Sequence, residues 1–243
     1  MNRSFPGNAR SNTTERMANR IYSGFIKQCD LGVDFHTSTR NRTTIYHARA
    51  DLTDPAVERL ARAFATNVVL YGSGDGGSLR SVATADGIPT ITVEMGRAHR
   101  FQPVLIEKAL EGVDSLLAEY ELLPHEPVHW PGWYKTTAAD STKRWLRADT
   151  GGLVDMEWGP YPLVHEGETI CTISNHFRTE NHAVTAPFDG LIIGALENPV
   201  AAPGHPLCHL VALDNETVEE IEREITRGEF DGYRAHGDSW ADE

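Results

Sequence analysis

The sequence predicts an α/β fold, with a mostly parallel sheet flanked by helices, followed by a small all-β domain. Three observations predict it. From residue 13 to residue 122, helical apolar stripes alternate with short β-branched runs, the pattern of strand–helix–strand units. A proline-bounded stretch, Pro124 to Pro131, interrupts that alternation. Beyond about residue 140 only short β-rich runs between glycine and proline turns remain, which suits a compact barrel or sandwich. The boundaries read as an α/β domain over 1–123, a linker over 124–140, a small β domain over 141–213, and an acidic helix and tail over 214–243.

Each element has a local cause. Asn12 to Glu15 has the form of a capping box, and Met17, Ile21 and Phe25, with Ala18, Tyr22 and Ile26, make the stripe of a helix over 13–28. Leu31 to His36 is short, apolar and β-branched at its centre, a buried strand. Asp54-Pro55 is a cap followed by a first-turn proline, and Val57, Leu60, Ala61 and Phe64 continue that helix. Val68 to Tyr71 is the next strand, Gly72 to Gly77 a flexible loop, 78–86 a helix and Pro89 to Met95 a strand. Residues 103–122 form a long helix with Leu105, Ala109, Val113, Leu116, Leu117 and Tyr120 on one face. In the β domain the runs are Gly152–Met156, Thr169–Ile173, Ala183–Ala186, Gly190–Gly194 and Leu207–Leu213, and a helix near 216–227 follows.

Composition narrows the function. The formal charge is −13 over 243 residues, which argues against nucleic acid as a partner, since that needs a basic face. No apolar run is long enough for a membrane span, and Met1 to Gly7 lacks the form of a signal peptide; the expected location is the cytoplasm. Lysine occurs only at positions 27, 108, 135 and 143, against 18 arginines. Few lysines among many carboxylates suggests a chain solvated at high salt, where screening limits self-repulsion; an ordinary acidic protein is the plain alternative. Three separated cysteines, Cys29, Cys171 and Cys208, fit neither a disulfide framework nor a cysteine metal site.

Asp34-Phe-His36 ends a predicted strand, so Asp34 and His36 share one face. Ligands of open α/β sheets bind beyond the carboxyl ends of strands. His36 is thus either a metal ligand with a carboxylate to orient it or a satisfied structural histidine. Glu94 ends another apolar strand before Gly96, a place for a general base or for a carboxylate paired with arginine. Asn2 and Arg3 lie in the first loop, Arg40 and Arg42 follow the strand of His36, and Arg80 follows the glycine loop. Arginines near strand ends suit a carboxylate-bearing substrate, which guanidinium grips bidentately; each alone also reads as a surface ion pair. The glycine loop has neither phosphate-binding signature, and there is no G-x-S-x-G elbow. His47, His99, His125 and His129 are further histidines without HExxH spacing.

Together, Asn2-Arg-Ser-Phe-Pro-Gly7, Glu15-Arg16-x-Ala18, Asp34-x-His36-Thr37 and Ile91-Thr-Val-Glu94-x-Gly96 resemble the succinylglutamate desuccinylase/aspartoacylase family, related to the zinc carboxypeptidases. Gly167-Glu-Thr-Ile and Thr185-Ala-Pro-Phe-Asp-Gly190 look like the β appendage of these enzymes, so the resemblance runs over about 1–213. It implies a zinc-carboxypeptidase-like sheet and a Zn²⁺-dependent hydrolase that splits the amide of an N-acyl amino acid. It implies His36 as a zinc ligand, Glu94 as the general base, and Asn2 and Arg3 as binders of the substrate carboxylate. The other two zinc ligands of the family come from an H-x-x-E motif upstream of the Asn-Arg run. This sequence starts at Met1, directly before that run, so the resemblance implies a chain lacking the first zinc-ligand motif. The alternative functions are an inactive member acting as a binding or interaction protein, and a carboxypeptidase-like peptide hydrolase. The Ala186–Gly190 hairpin is also reminiscent of biotinyl and lipoyl carriers, but those need a lysine and none follows Lys143. The appendage or an open sheet edge offers a surface for a homo-oligomer.

Overall fold

A computed structural model of the chain describes residues 1–66, 68–127, 143–156 and 162–228. The chain packs as two compact units. The first comprises Met1–His36, His47–Glu94 and Glu107–Thr136; the second comprises Thr37–Tyr46, Met95–Ile106 and Thr137–Glu243. The expected linker lies outside the described residues from position 128 onward, as does the tail from 229.

In chain order, α1 (Thr13–Gly24) precedes β1 (Gly32–His36), β2 (Arg42–Ala50), α2 (Pro55–Phe64) and β3 (Val69–Tyr71). Then come α3 (Leu79–Ala85), β4 (Thr90–Arg97) and α4 (Pro103–Glu119). The β-rich part holds β5 (Lys143–Arg147), β6 (Gly152–Met156), β7 (Leu163–Val164), β8 (Thr169–Ser174), β9 (Asn181–Thr185) and β10 (Gly190–Leu196). β11 (Val200–Ala201), β12 (Pro206–Ala212) and α5 (Asn215–Arg227) complete it.

In the first unit β1 runs parallel to β4, β2 runs parallel to β3, and β4 lies beside β2. The caps form as the residue types require: Asn12 accepts from the Glu15 N–H, Asp54 from Ala56 and Val57, and Ser78 from Ser81. Behind α1 and α3, Phe5, Ala18, Tyr22, Ala83 and Ile88 form an apolar cluster. The Tyr22 hydroxyl donates to Asp86 at 2.8 Å. In the second unit β10, β12 and β5 form an antiparallel run, with Gly194–Leu196 pairing the first residues of β2. A separate antiparallel sheet has the order β11-β6-β8-β9. Its core holds Val154, Cys171, Ile173 and Leu207. Cys208 lies in a neighbouring cluster, and burial pushes its thiol up to about 12, leaving it inert as a nucleophile.

The strand Arg42–Ala50 is absent from the sequence expectations. Thr43 to His47 are all buried, so the segment shows no polar–apolar alternation, and no glycine or proline marks its ends. β5 was missed for the opposite reason: four of its five side chains are exposed, and charge hides the pattern.

The glycine loop has a packing role. Gly77 has φ +75°, and a Cβ there would stand 2.6 Å from the Arg3 carbonyl oxygen. Its own carbonyl accepts from the Phe5 N–H at 2.9 Å. The missing side chain lets the Asn2–Phe5 segment lie against this loop. Gly77→Ala is therefore expected to destabilise the chain by more than about 1 kcal/mol, a fall in Tm of roughly 2–4 °C or more for a chain of this size, read by thermal unfolding.

Candidate active site

The site grows out of one strand pairing. β1 and β4 are in parallel register, Asp34 opposite Thr92 and His36 opposite Glu94. His36 therefore stands at the carboxyl end of β1, the place where open α/β sheets bind ligands, while Glu94 stands level with it on β4, three residues before that strand ends and not at its end as the sequence suggested. Phe35, on the other face of β1, packs on Phe64 of α2 with ring centroids 5.9 Å apart. That contact fixes which face His36 takes.

The Asp34 carboxylate lies 2.9 Å from His36 Nε2. The Asn2 amide nitrogen lies 3.1 Å from the same Nε2 and 3.5 Å from Asp34 Oδ2. Its other end is fixed too, since Asn2 Oδ1 accepts from the Leu79 N–H at the start of α3, at 2.7 Å. Asn2 thus ties the first loop both to α3 and to the Asp34–His36 pair. The hydrogen bond from Asp34 raises the His36 pKa, against partial burial; the charges of Asp34 and Glu94 add to the rise and Arg49 opposes it.

Glu94 has a partner the sequence reading did not single out. Arg49 of β2 sets its Nε 3.5 Å from Glu94 Oε1. Only recognition of β2 as a strand could have aimed Arg49 here. Arg80 is buried, and its guanidinium donates to the Gly72 carbonyl. Burial, and then the charge of Arg49, pull its pKa down to about 10, so it remains a cation at neutral pH. Among the described residues no carboxylate lies within ion-pair distance of it.

The structure thus brings Asn2, Asp34 and His36 into direct contact and sets Glu94 opposite His36. Arg80 lies within the electrostatic reach of Glu94. Arg3 turns elsewhere: it is exposed and forms an ion pair with Asp75 of the glycine loop. Arg40 is exposed on the turn leading into β2, in the second unit. His47 is fully buried in β2, His99 and His125 are exposed, and His129 lies outside the described residues.

The implied Zn²⁺ can be tested against these donors. A catalytic zinc takes three protein ligands. Among the described residues no group of three His, Cys, Asp or Glu side chains is placed to hold a metal ion. His36 Nε2, the nitrogen at the site, is engaged by Asp34. These residues by themselves do not fit a zinc ion. The sequence does contain one H-x-x-E, His165 to Glu168, in the second unit. There Glu168 accepts from the His165 backbone N–H at 2.9 Å, while the imidazole faces Glu222 at 3.3 Å and Asp189 at 3.7 Å. It closes a turn and forms no ligand set.

Residues 1–120 match the model of the succinylglutamate desuccinylase/aspartoacylase catalytic domain. That stretch of the chain thus belongs to the succinylglutamate desuccinylase/aspartoacylase family, as its motifs implied. The fold is shared with solved structures. One is the ectoine utilization protein EutE (DoeB) from Ruegeria pomeroyi in its apo form, at 20% identity over 87% of this chain and 69% of that one, with a TM-score of 0.76. The same Ruegeria protein has also been solved with product bound. A succinylglutamate desuccinylase/aspartoacylase from Rhodobacter sphaeroides matches at 20% identity over 88% of this chain and 68% of that one, with a TM-score of 0.74. An aspartoacylase family protein from Mesorhizobium loti matches at 15% identity over 88% and 67%, with a TM-score of 0.70. A search of curated proteins finds no match.

The Asp34–His36 pair carries a pH prediction. The folded-state pKa of His36 is raised, so its contribution to stability is fully present below the unfolded value of about 6.5 and is lost as pH rises through the folded value. Asp34→Asn removes the main cause. The gap in Tm between the parent chain and Asp34→Asn is expected to be larger at about pH 5.5 than at about pH 8.5. Equal gaps would remove the pair from the account.

Proposed function

We propose that the protein is a hydrolase of the amide bond in N-acyl amino acids, small molecules that carry a carboxylate. The observation that carries this reading is Glu94, set opposite His36 on neighbouring strands and within the electrostatic reach of the buried cation Arg80. A substrate carboxylate supplies the direct ion-pair partner that Arg80 does not have among the described residues. Asn2 lines the same site and orients its polar face; Arg3, once released from Asp75, is the further arginine assigned to the substrate.

Glu94 accepts a proton from water as the water oxygen adds to the acyl carbonyl carbon. It returns that proton to the amine nitrogen as the C–N bond breaks, leaving a carboxylic acid and an amine. Arg49 stands 3.5 Å from Glu94 Oε1, an ion pair without a hydrogen bond, which keeps Glu94 charged and able to take that proton. Zn²⁺ is the cofactor the family resemblance implies; bound, such an ion lowers the pKa of its water and polarises the acyl carbonyl. The described residues do not complete a zinc site. The same observation favours a second reading, a member that binds carboxylate ligands without hydrolysing them.

Amine release from a panel of N-succinyl and N-acetyl amino acids and short peptides, with zinc supplied, tests the first reading. Cleavage of acyl amino acids is expected, with kcat lowered about 100-fold or more in Glu94→Gln. Arg80→Gln is expected to act mainly through KM, about tenfold or more. Cleavage of peptides alone would point to a carboxypeptidase-like enzyme.

Zinc content separates the two main readings. An enzyme is expected to retain close to one zinc per chain after dialysis, with His36→Ala lowering the content. Near-zero zinc with retained, Arg80-dependent carboxylate binding would leave the binding protein as the function.

A further inference from the structure

A second cationic group lies in the other unit, and the proposed hydrolysis does not use it. Arg42 opens β2, and its guanidinium lies over the ring of Trp145 at 5.1 Å from the centroid. Trp145 in turn stacks on His209, with centroids 4.8 Å apart and planes 9° from parallel. His209 is buried in β12 and faces Trp145 across the β12–β5 ladder. An aromatic face attracts a guanidinium without neutralising its charge, and the planar fork of five N–H donors has others to offer an anion.

Arg147 stands on the same face of β5 as Trp145, two residues on. One of its nitrogens donates to the Gly204 carbonyl at 2.8 Å, which fixes the head group and leaves donors free. Arg147 lies close enough to Arg42 for its charge, after burial, to pull the Arg42 pKa down. Arg144 and Lys143 add exposed positive charge on the same strand.

The setting makes this cluster informative. Acidic residues outnumber basic ones 35 to 22 in the chain. Arg3, Arg49, Arg59, Arg62 and Arg97 all pair with carboxylates. Among the described residues, Arg42, Arg144 and Arg147 have no carboxylate within ion-pair distance. Two adjacent guanidiniums, each oriented by a neutral group and neither neutralised, repel one another. An external anion bound by both relieves that repulsion.

We propose that Arg42, held over the ring of Trp145, and Arg147, held by Gly204, form an anion site in the second unit that binds a small organic carboxylate. The planar forks favour a carboxylate, whose two oxygens match them bidentately. The chain's own net charge of −13 works against a large acidic partner through its long-range field, whereas a small anion meets mainly the local cations.

The test uses the full chain at the lowest salt that preserves its melting temperature. Succinate is titrated against the arginine Nε–H resonances, with those of Arg42 and Arg147 assigned from Arg42→Lys and Arg147→Lys. Saturable shifts of both signals are expected, with a dissociation constant on the order of 1 mM. Arg42→Gln and Arg147→Gln should each weaken binding at least about fivefold. Arg42→Lys keeps the charge without the fork, and should weaken it as well while leaving the Tm close to that of the parent. Arg80→Gln, in the first unit, should leave these shifts intact even if it abolishes binding at the candidate active site. Shifts matched by chloride at equal ionic strength would reduce the cluster to screening and overturn the proposal. So would saturable binding unchanged in Arg42→Gln and Arg147→Gln, or lost in Arg80→Gln. Equal affinity for sulfate would overturn the assignment to carboxylates.

Discussion

The parallel register of β1 with β4 is the constraint on which the candidate site depends. It puts His36 level with Glu94, and a shift of one residue would turn one of them to the opposite face of the sheet. The register is fixed from both sides. Phe35 on one face of β1 packs on Phe64, while Asp34 and His36 occupy the other face together with Asn2. Asn2 is more than a ligand-binding residue waiting for substrate. Its carbonyl is taken up by the first turn of α3 and its amide by the Asp34–His36 pair. The loop, the helix and the strand are therefore positioned as one polar assembly, and the glycine at position 77 is what allows the loop to reach it.

Charge balance sorts the arginines of the first unit by role. Arg3 has Asp75, Arg59 has Glu119, and Arg49 has Glu94. Exposed pairs such as the first contribute little to stability. The Arg49–Glu94 pair is less exposed. Arg80 is buried with no carboxylate within ion-pair distance among the described residues, although the charges of Asp51, Asp75 and Glu94 reach it. Keeping such a cation in the folded chain costs desolvation energy, which those carboxylates and the Gly72 carbonyl offset in part. This asymmetry ranks Arg80 above Arg3 and Arg40 as a carboxylate binder, although the sequence treats the three alike.

Much of this architecture was legible in the sequence where a local rule sufficed. Caps at Asn12 and Asp54, the apolar centres of β1 and β4, and the helical stripes all follow from neighbouring residues. The motifs around Asn2, Asp34, His36 and Glu94 also placed these residues in one family pattern, and residues 1–120 carry that family's catalytic domain. The strand β2 was hidden because burial from Thr43 to His47 erases the alternation that marks a half-exposed strand. Arg49 was hidden with it. Which arginine meets which carboxylate is set by sheet order and loop packing, so the pairings of Arg3 with Asp75 and of Arg49 with Glu94 lay beyond any reading of spacing.

The two arginine sets share a physical logic that composition alone suggests only in outline. Arg80, Arg42 and Arg147 have no carboxylate within ion-pair distance among the described residues and are held by neutral groups: the Gly72 carbonyl, an aromatic face and the Gly204 carbonyl. High ionic strength would sharpen the distinction. Screening weakens exposed pairs such as Arg3–Asp75 first, which frees Arg3 for a substrate, while a buried guanidinium such as Arg80 keeps most of its attraction for a bound carboxylate.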